Sequence, residues 1–134
     1  ANGAVFVDQS KKSLQLIHAN ISSCFAAAQV SLLRLDLSRA DRISQLKNKL
    51  PAEICFDLIF IDPPYEKKLA ATTLKMVEES SLINDEGLAI VEERKNANLP
   101  QQSGSLELID QRTYGETGLW IYRKNEKLSP ILST

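Results

Sequence analysis

The chain has 134 residues, 43% of them hydrophobic and 25% charged, which is the composition of one ordinary globular domain and excludes disordered, fibrous and multidomain readings. Sixteen Lys and Arg stand against 17 Asp and Glu, a formal charge of −1, so any polyanion must be held by a local patch rather than by a global basic field. The two cysteines, Cys24 and Cys55, form no CxxC pair and have no histidine cluster beside them. Neither a disulfide framework nor a metal site is suggested, and a reducing, cytoplasmic setting fits. No apolar run approaches the roughly 20 residues of a membrane span, and the N-terminal ANGAVFVDQ lacks the layout of a secretory signal.

The first apolar run, Ala4-Val5-Phe6-Val7, stops at Asp8, as a fully buried strand running into a loop would. From Ser10 to Ser23 the period turns helical, with Leu14, Ile17 and Ile21 on one stripe, Ser10 as a cap and Lys11 and Lys12 toward solvent. His18 follows Leu14 by four positions and is expected to be a partly buried structural residue. A second unit repeats the pattern: Val30 to Leu35 as a strand closed by Asp36, then a helix with Ile43, Leu46 and Leu50 inward that Pro51 terminates. In the third unit, Phe56-Asp57-Leu58-Ile59-Phe60-Ile61 reads as a central strand buried on both faces, ended by Asp62-Pro63-Pro64-Tyr65 and followed by a helix over 67–80.

Asn84-Asp85-Glu86-Gly87 reads as a turn before a fourth strand, Leu88 to Glu92, and 96–105 as a polar loop. Leu106 to Asp110 and Leu119 to Arg123 are strands joined through Tyr114-Gly115-Glu116-Thr117-Gly118, too short for a crossover helix, so they should pair antiparallel. Trp120 is expected in the core and Tyr122 on the other face. The order strand, helix, strand, helix, strand, helix, strand, then a hairpin predicts an α/β three-layer domain with a mostly parallel sheet. Ligands of such sheets bind at the carboxyl ends of the strands. Asp8, Asp36 and Asp62 each close a parallel strand, so three carboxylates are expected on one edge.

The run Asp62-Pro63-Pro64-Tyr65 carries the most chemistry. A carboxylate leaving a buried strand is a fixed acceptor, and two prolines fix the backbone so that carbonyls without neighbouring N–H donors point outward. Such acceptors suit an exocyclic base amine, and Tyr65 offers a flat face for the base. The plainer reading is a strand-ending turn. Lys67 and Lys68 could meet phosphates beside the base or simply solvate a helix start.

FDLIFIDPPY resembles the [DNS]PP[YFW] motif of amino-methyltransferases that use S-adenosylmethionine. Together with AVFVDQSKKSLQLIHANI, the strand ending in Asp36, DPPYEKK and RTYGETGLWIYR, it looks like the RsmD-like family that methylates guanine N2 in 16S ribosomal RNA, over Ala4 to Arg123. The resemblance implies a Rossmann-like domain, here 1–134, acting on ribosomal RNA or a small-subunit precursor. Asp8 would bind the cofactor ribose, Asp36 the adenine amine and Leu37 the adenine ring. Asp62, Pro63, Pro64 and Tyr65 would hold and stack the target base. Asp8 and Asp36 are equally the residue types that start helices. DPPY alone also fits adenine-N6 methylation of DNA or RNA.

The family pattern begins with an earlier strand and a glycine-rich loop. The five glycines here, Gly3, Gly87, Gly104, Gly115 and Gly118, form no GxG after a strand. The first βα unit is therefore expected to be missing from this stretch of sequence, with a gap in mid-sheet, as in a fragment or an intertwined homodimer. A non-catalytic binding module on a truncated methyltransferase fold is the reading from a different class.

Overall fold

A computed structural model of the chain describes residues 4–23, 30–35, 42–51, 54–63 and 69–125. They fall into two compact units, Ala1–Arg42 and Ile43–Thr134. In the first, β1 (Ala4–Asp8) and β2 (Val30–Arg34) flank α1 (Lys11–Ser23). The strands pair parallel from Ala4 opposite Val30 to Asp8 opposite Arg34, and the Leu35 N–H extends the ladder to the Asp8 carbonyl at 3.0 Å. Ser10 caps α1 as its residue type dictates, its Oγ accepting from the Ser13 N–H at 3.2 Å. Two sequence expectations change here. β1 is half-buried rather than fully buried, with Phe6 exposed, and His18 is exposed. Leu14, Ile17 and Ile21 form the half-buried stripe, and the residue after Ile17 lies a further 100° round the helix, toward water.

The second unit contains α2 (Arg42–Lys49), β3 (Phe56–Ile61), α3 (Leu69–Glu79), β4 (Ile83–Arg94), β5 (Gln102–Ser103), β6 (Leu106–Tyr114) and β7 (Thr117–Lys124). Its five-stranded sheet has the order β3-β4-β7-β6-β5. β3 and β4 run parallel across α3, whereas the strands after β4 follow one another by short connections and pair antiparallel. α3 packs on one face through Ala70, Leu74 and Val77, against Ile61, Ala89, Val91, Leu106, Trp120 and Tyr122. Lys47 Nζ donates to the Ser80 carbonyl beyond the end of α3 at 2.8 Å, tying α2 to α3. Glu78 on α3 accepts from both the N–H and the Oγ of Ser105 at 3.0 Å, which fastens the β5–β6 turn to the helix.

β3 is not a strand buried on both faces. Among the described residues only β4 pairs with it, and α3 packs on one face alone: Ile61 is buried there while Leu58 and Phe60 are exposed on the other face. The expected turn at Asn84 to Gly87 lies inside β4 instead. The register passes from Phe56 opposite Ile83 to Leu58 opposite Leu88, so these four residues bulge out of one continuous strand. Asn84 Nδ2 secures the bulge by donating to Asp57 Oδ1 at 2.8 Å. The expected polar loop at 96–105 contains β5, two residues paired with β6.

The hairpin of β6 and β7 turns on Gly115 and Glu116, with positive φ at Gly115, the pattern of a type II′ turn. Trp120 is buried as expected, but Tyr122 is buried on the same face. Residues two apart in a regular strand share a face, and the expectation of opposite faces is corrected accordingly. The Trp120 ring lies back along β7 over Gly118, where a Cβ would stand 2.7 Å from the ring. The Tyr122 hydroxyl donates to the Pro100 carbonyl at 2.7 Å.

Candidate functional site

The alternation of β3 decides where the motif aspartate goes. Ile61 is buried against Val91 of β4, its register partner, so Asp62, one residue on, emerges on the opposite face and is exposed, with Pro63 half-buried beside it. The same step along β4 takes Glu92 out of the core between the buried Val91 and Glu93. Asp62 and Glu92 each follow a member of the Ile61–Val91 register pair, so they are neighbours across a parallel strand pair. Hydrogen bonding to Asp62 raises the proton affinity of Glu92 above the ordinary carboxylate value, and desolvation and the Asp62 charge add to it.

The row continues across the sheet. Glu92 stands opposite Leu119, and Leu119 opposite Arg112. Arg112 is taken up by its own strand, its Nε donating to Asp110 Oδ2 at 2.9 Å, and that bond, with a weaker one donated to the Tyr114 oxygen, holds its proton more tightly. Among the described residues of this row, the two acidic side chains have an apolar neighbour, Leu119, before the first cation, Arg112.

In the first unit, Asp8 ends β1 half-buried, and its Oδ1 accepts from the Ser10 N–H at 2.8 Å. This contact starts α1, as the plainer reading of Asp8 requires. It also fixes the carboxylate, and among the described residues no other group bonds its second oxygen. Asp36, Leu37, Pro64, Tyr65, Lys67 and Lys68 lie outside the described residues. Asp8 and Asp62 belong to different units, and each is described within its own. No group of three or more metal-ligating side chains occurs among the described residues, and no helix among them is long and apolar enough to cross a membrane.

Glu92 is the residue that sequence reading left without a role. The signal was present in the alternation of Leu88-Ala89-Ile90-Val91-Glu92, but only the β3–β4 register shows that Glu92 stands beside Asp62.

Parallel βα elements feeding an Asp-Pro strand end, followed by an antiparallel hairpin, define a Rossmann-like methyltransferase fold. Within that class, the chain belongs to the family described as Conserved hypothetical protein 95, which matches residues 1–123, and is RsmD-like. It is 29% identical over 120 residues to the provisionally named rRNA methyltransferase YlbH of Bacillus subtilis, covering 90% of this chain and 62% of that protein. It is 25% identical over 68 residues to the ribosomal RNA small subunit methyltransferase D of Escherichia coli, covering 51% of this chain and 34% of that one. Among solved structures, a conserved hypothetical protein of Streptococcus pyogenes superposes with a TM-score of 0.79 at 25% identity, covering 92% of this chain and 72% of that one. A provisionally assigned methylase from Haemophilus influenzae gives 0.73 at 21% identity, covering 92% and 73%. The chain thus spans less than two thirds of the length of these curated relatives.

Proposed function

We propose that this chain is the acceptor-binding part of a cytoplasmic enzyme that transfers a methyl group from S-adenosylmethionine to the exocyclic N2 amine of a guanine in 16S ribosomal RNA, within a single domain. The observation that carries the reading is the position of Asp62-Pro63: an acceptor pair at the carboxyl end of a parallel strand, on the face away from the core. The family and the names of its relatives support the same direction.

S-adenosylmethionine, when bound, supplies a methyl group activated by its sulfonium sulfur. The one described residue assigned to it is chemically suited. Asp8 is held by the Ser10 N–H through one oxygen and has a second to accept from vicinal ribose hydroxyls. Asp36 would accept from the adenine amine, and Leu37 would lie against its ring. Asp62 and the Pro63 carbonyl would take the two hydrogens of the target amine, Pro64 would keep the adjoining backbone rigid, and Tyr65 would stack on the extruded base. The protein's task is alignment of nitrogen, methyl carbon and sulfur, and two acceptors on the amine also favour the pyramidal nitrogen that attacks.

The test is methylation of small-subunit ribosomal RNA, free or in a precursor particle, by the complete polypeptide, with mass analysis of the nucleosides. N2-methylguanosine is expected, and Asp62→Ala should lower transfer at least about 100-fold with the fold intact. N6-methyladenosine would move the acceptor to adenine, and absence of transfer would favour a binding module.

A further inference from the structure

We propose that Glu92 is a specificity-determining residue that accepts the N1–H of the target guanine while Asp62 accepts from the adjoining amine. The inference rests on the guanine reading above and assigns the base discrimination of that same site.

Three observations meet at this residue. Strand alternation sends Glu92 and Asp62 out of the same face, because Ile61 and Val91, the residues before them, are paired and buried. The two residues sit at adjacent positions of the β3–β4 pair, one step beyond the Ile61–Val91 register pair. The next position in the row is Leu119, and the Arg112 beyond it is bonded to Asp110, so among the described residues of the row no cation stands next to the pair. Two carboxyl groups in contact require hydrogen between them. A ligand that bridges the two side chains as carboxylates must bring the donors itself.

The bases differ in what they bring. On its Watson–Crick edge guanine presents N1–H and N2–H2 side by side, an unbroken set of donors. Adenine presents its amine beside N1, whose lone pair would face a carboxylate and leave it unpaired, and a buried or partly buried acceptor without its hydrogen is costly. Adjacent strands lie about 4.8 Å apart, and Glu92 is one methylene longer than Asp62, so the two can address neighbouring atoms of one base edge. A site that accepts twice rejects an analogue lacking one donor far more strongly than a site that merely fits its shape.

The experiment uses the complete polypeptide and two RNAs that differ only at the methylated position, guanine in one and 2-aminopurine in the other. 2-Aminopurine keeps the amine and lacks N1–H. Binding of each RNA is measured without cofactor, and kcat/KM with it. The wild type should prefer guanine by about 10-fold or more. Glu92→Ala should weaken guanine binding without weakening 2-aminopurine binding, so that the preference collapses toward unity. Glu92→Gln, which retains a carbonyl acceptor and the side-chain volume, should restore most of the preference.

A preference unchanged in Glu92→Ala, or an equal loss on both RNAs, overturns the proposal, since an equal loss is what a purely structural role gives. The failures are separable. If the wild type makes N2-methylguanosine and the preference survives Glu92→Ala, only the role of Glu92 falls. If the product is N6-methyladenosine, the guanine reading falls and this inference with it.

Discussion

The two faces of the five-stranded sheet are built from the same strands and do opposite things. On one face Ala89 and Val91 of β4, Trp120 and Tyr122 of β7 and Leu106 of β6 lie beneath α3 and are closed to water. On the other, Leu58 and Phe60 of β3 are 55% and 56% exposed, and Asp62, Glu92 and Arg112 stand among half-buried apolar residues. A strand with a period of two can hold both roles without compromise, because each residue added to the core places the next one outside it. The candidate site carboxylates Asp62 and Glu92 need no pocket of their own to be positioned. Their aim comes from the core packing of Ile61 and Val91, directly behind them.

That contrast can be broken from the core side with the largest effect. Trp120→Ala should cost about 3–5 kcal/mol of unfolding free energy in urea titrations, since the ring fills the space over Gly118. Phe60→Ser on the opposite face should stay below about 1 kcal/mol in the same experiment. Equal costs would mean that the exposed face of β3 is packed as tightly as the core. Gly104→Ala comes next. Gly104 has positive φ, and a Cβ there would collide with the Glu78 carboxylate that the turn holds, so a loss of about 1–3 kcal/mol is expected in thermal or chemical denaturation.

Tyr122→Phe removes the bond to Pro100 and should cost about 1 kcal/mol. Burial pushes the Tyr122 phenol up to about 12. An acid group whose pKa is raised on folding contributes stability that is whole below its unfolded value, near 10, and lost as the pH climbs toward 12. Alkaline melting curves of the wild type should therefore fall more steeply over that range than those of Tyr122→Phe.

The smallest effect lies on the face of the candidate site. Glu92 also binds its proton more tightly in the folded chain than its ordinary 4.5, so its contribution is full below that value and fades as the pH rises through the raised one. Asp62→Asn removes the Asp62 charge and the carboxyl partner and should flatten this dependence. Melting temperatures from pH 4 to 7 that respond identically in the two proteins would show that the carboxyl groups do not share a proton in solution.

The parts of the fold legible in the sequence were those governed by neighbours along the chain. The helical stripe of α1 and its Ser10 cap, the end of β3 at Asp62 and the antiparallel β6–β7 hairpin all depend on side-chain period, capping chemistry and loop length. The departures share another cause. Asn84 to Gly87 have the composition of a turn, yet the pairing of β3 with β4 on both sides of them makes the segment a bulge in one strand. Phe60 is as apolar as any core residue, and its exposure depends on which elements cover the sheet.

The sequence by itself determined the alternation of strands and helices, the acidic strand ends and the Asp-Pro-Pro-Tyr motif, because periodicity and backbone restriction act over a few residues. Only the tertiary structure decided which of the apolar strands has an exposed face, and that Glu92, 30 positions from Asp62 along the chain, is its neighbour across the β3–β4 pair. Register between strands is a property of the packed sheet, set by which side chains must share the core. No local pattern around either carboxylate carries it.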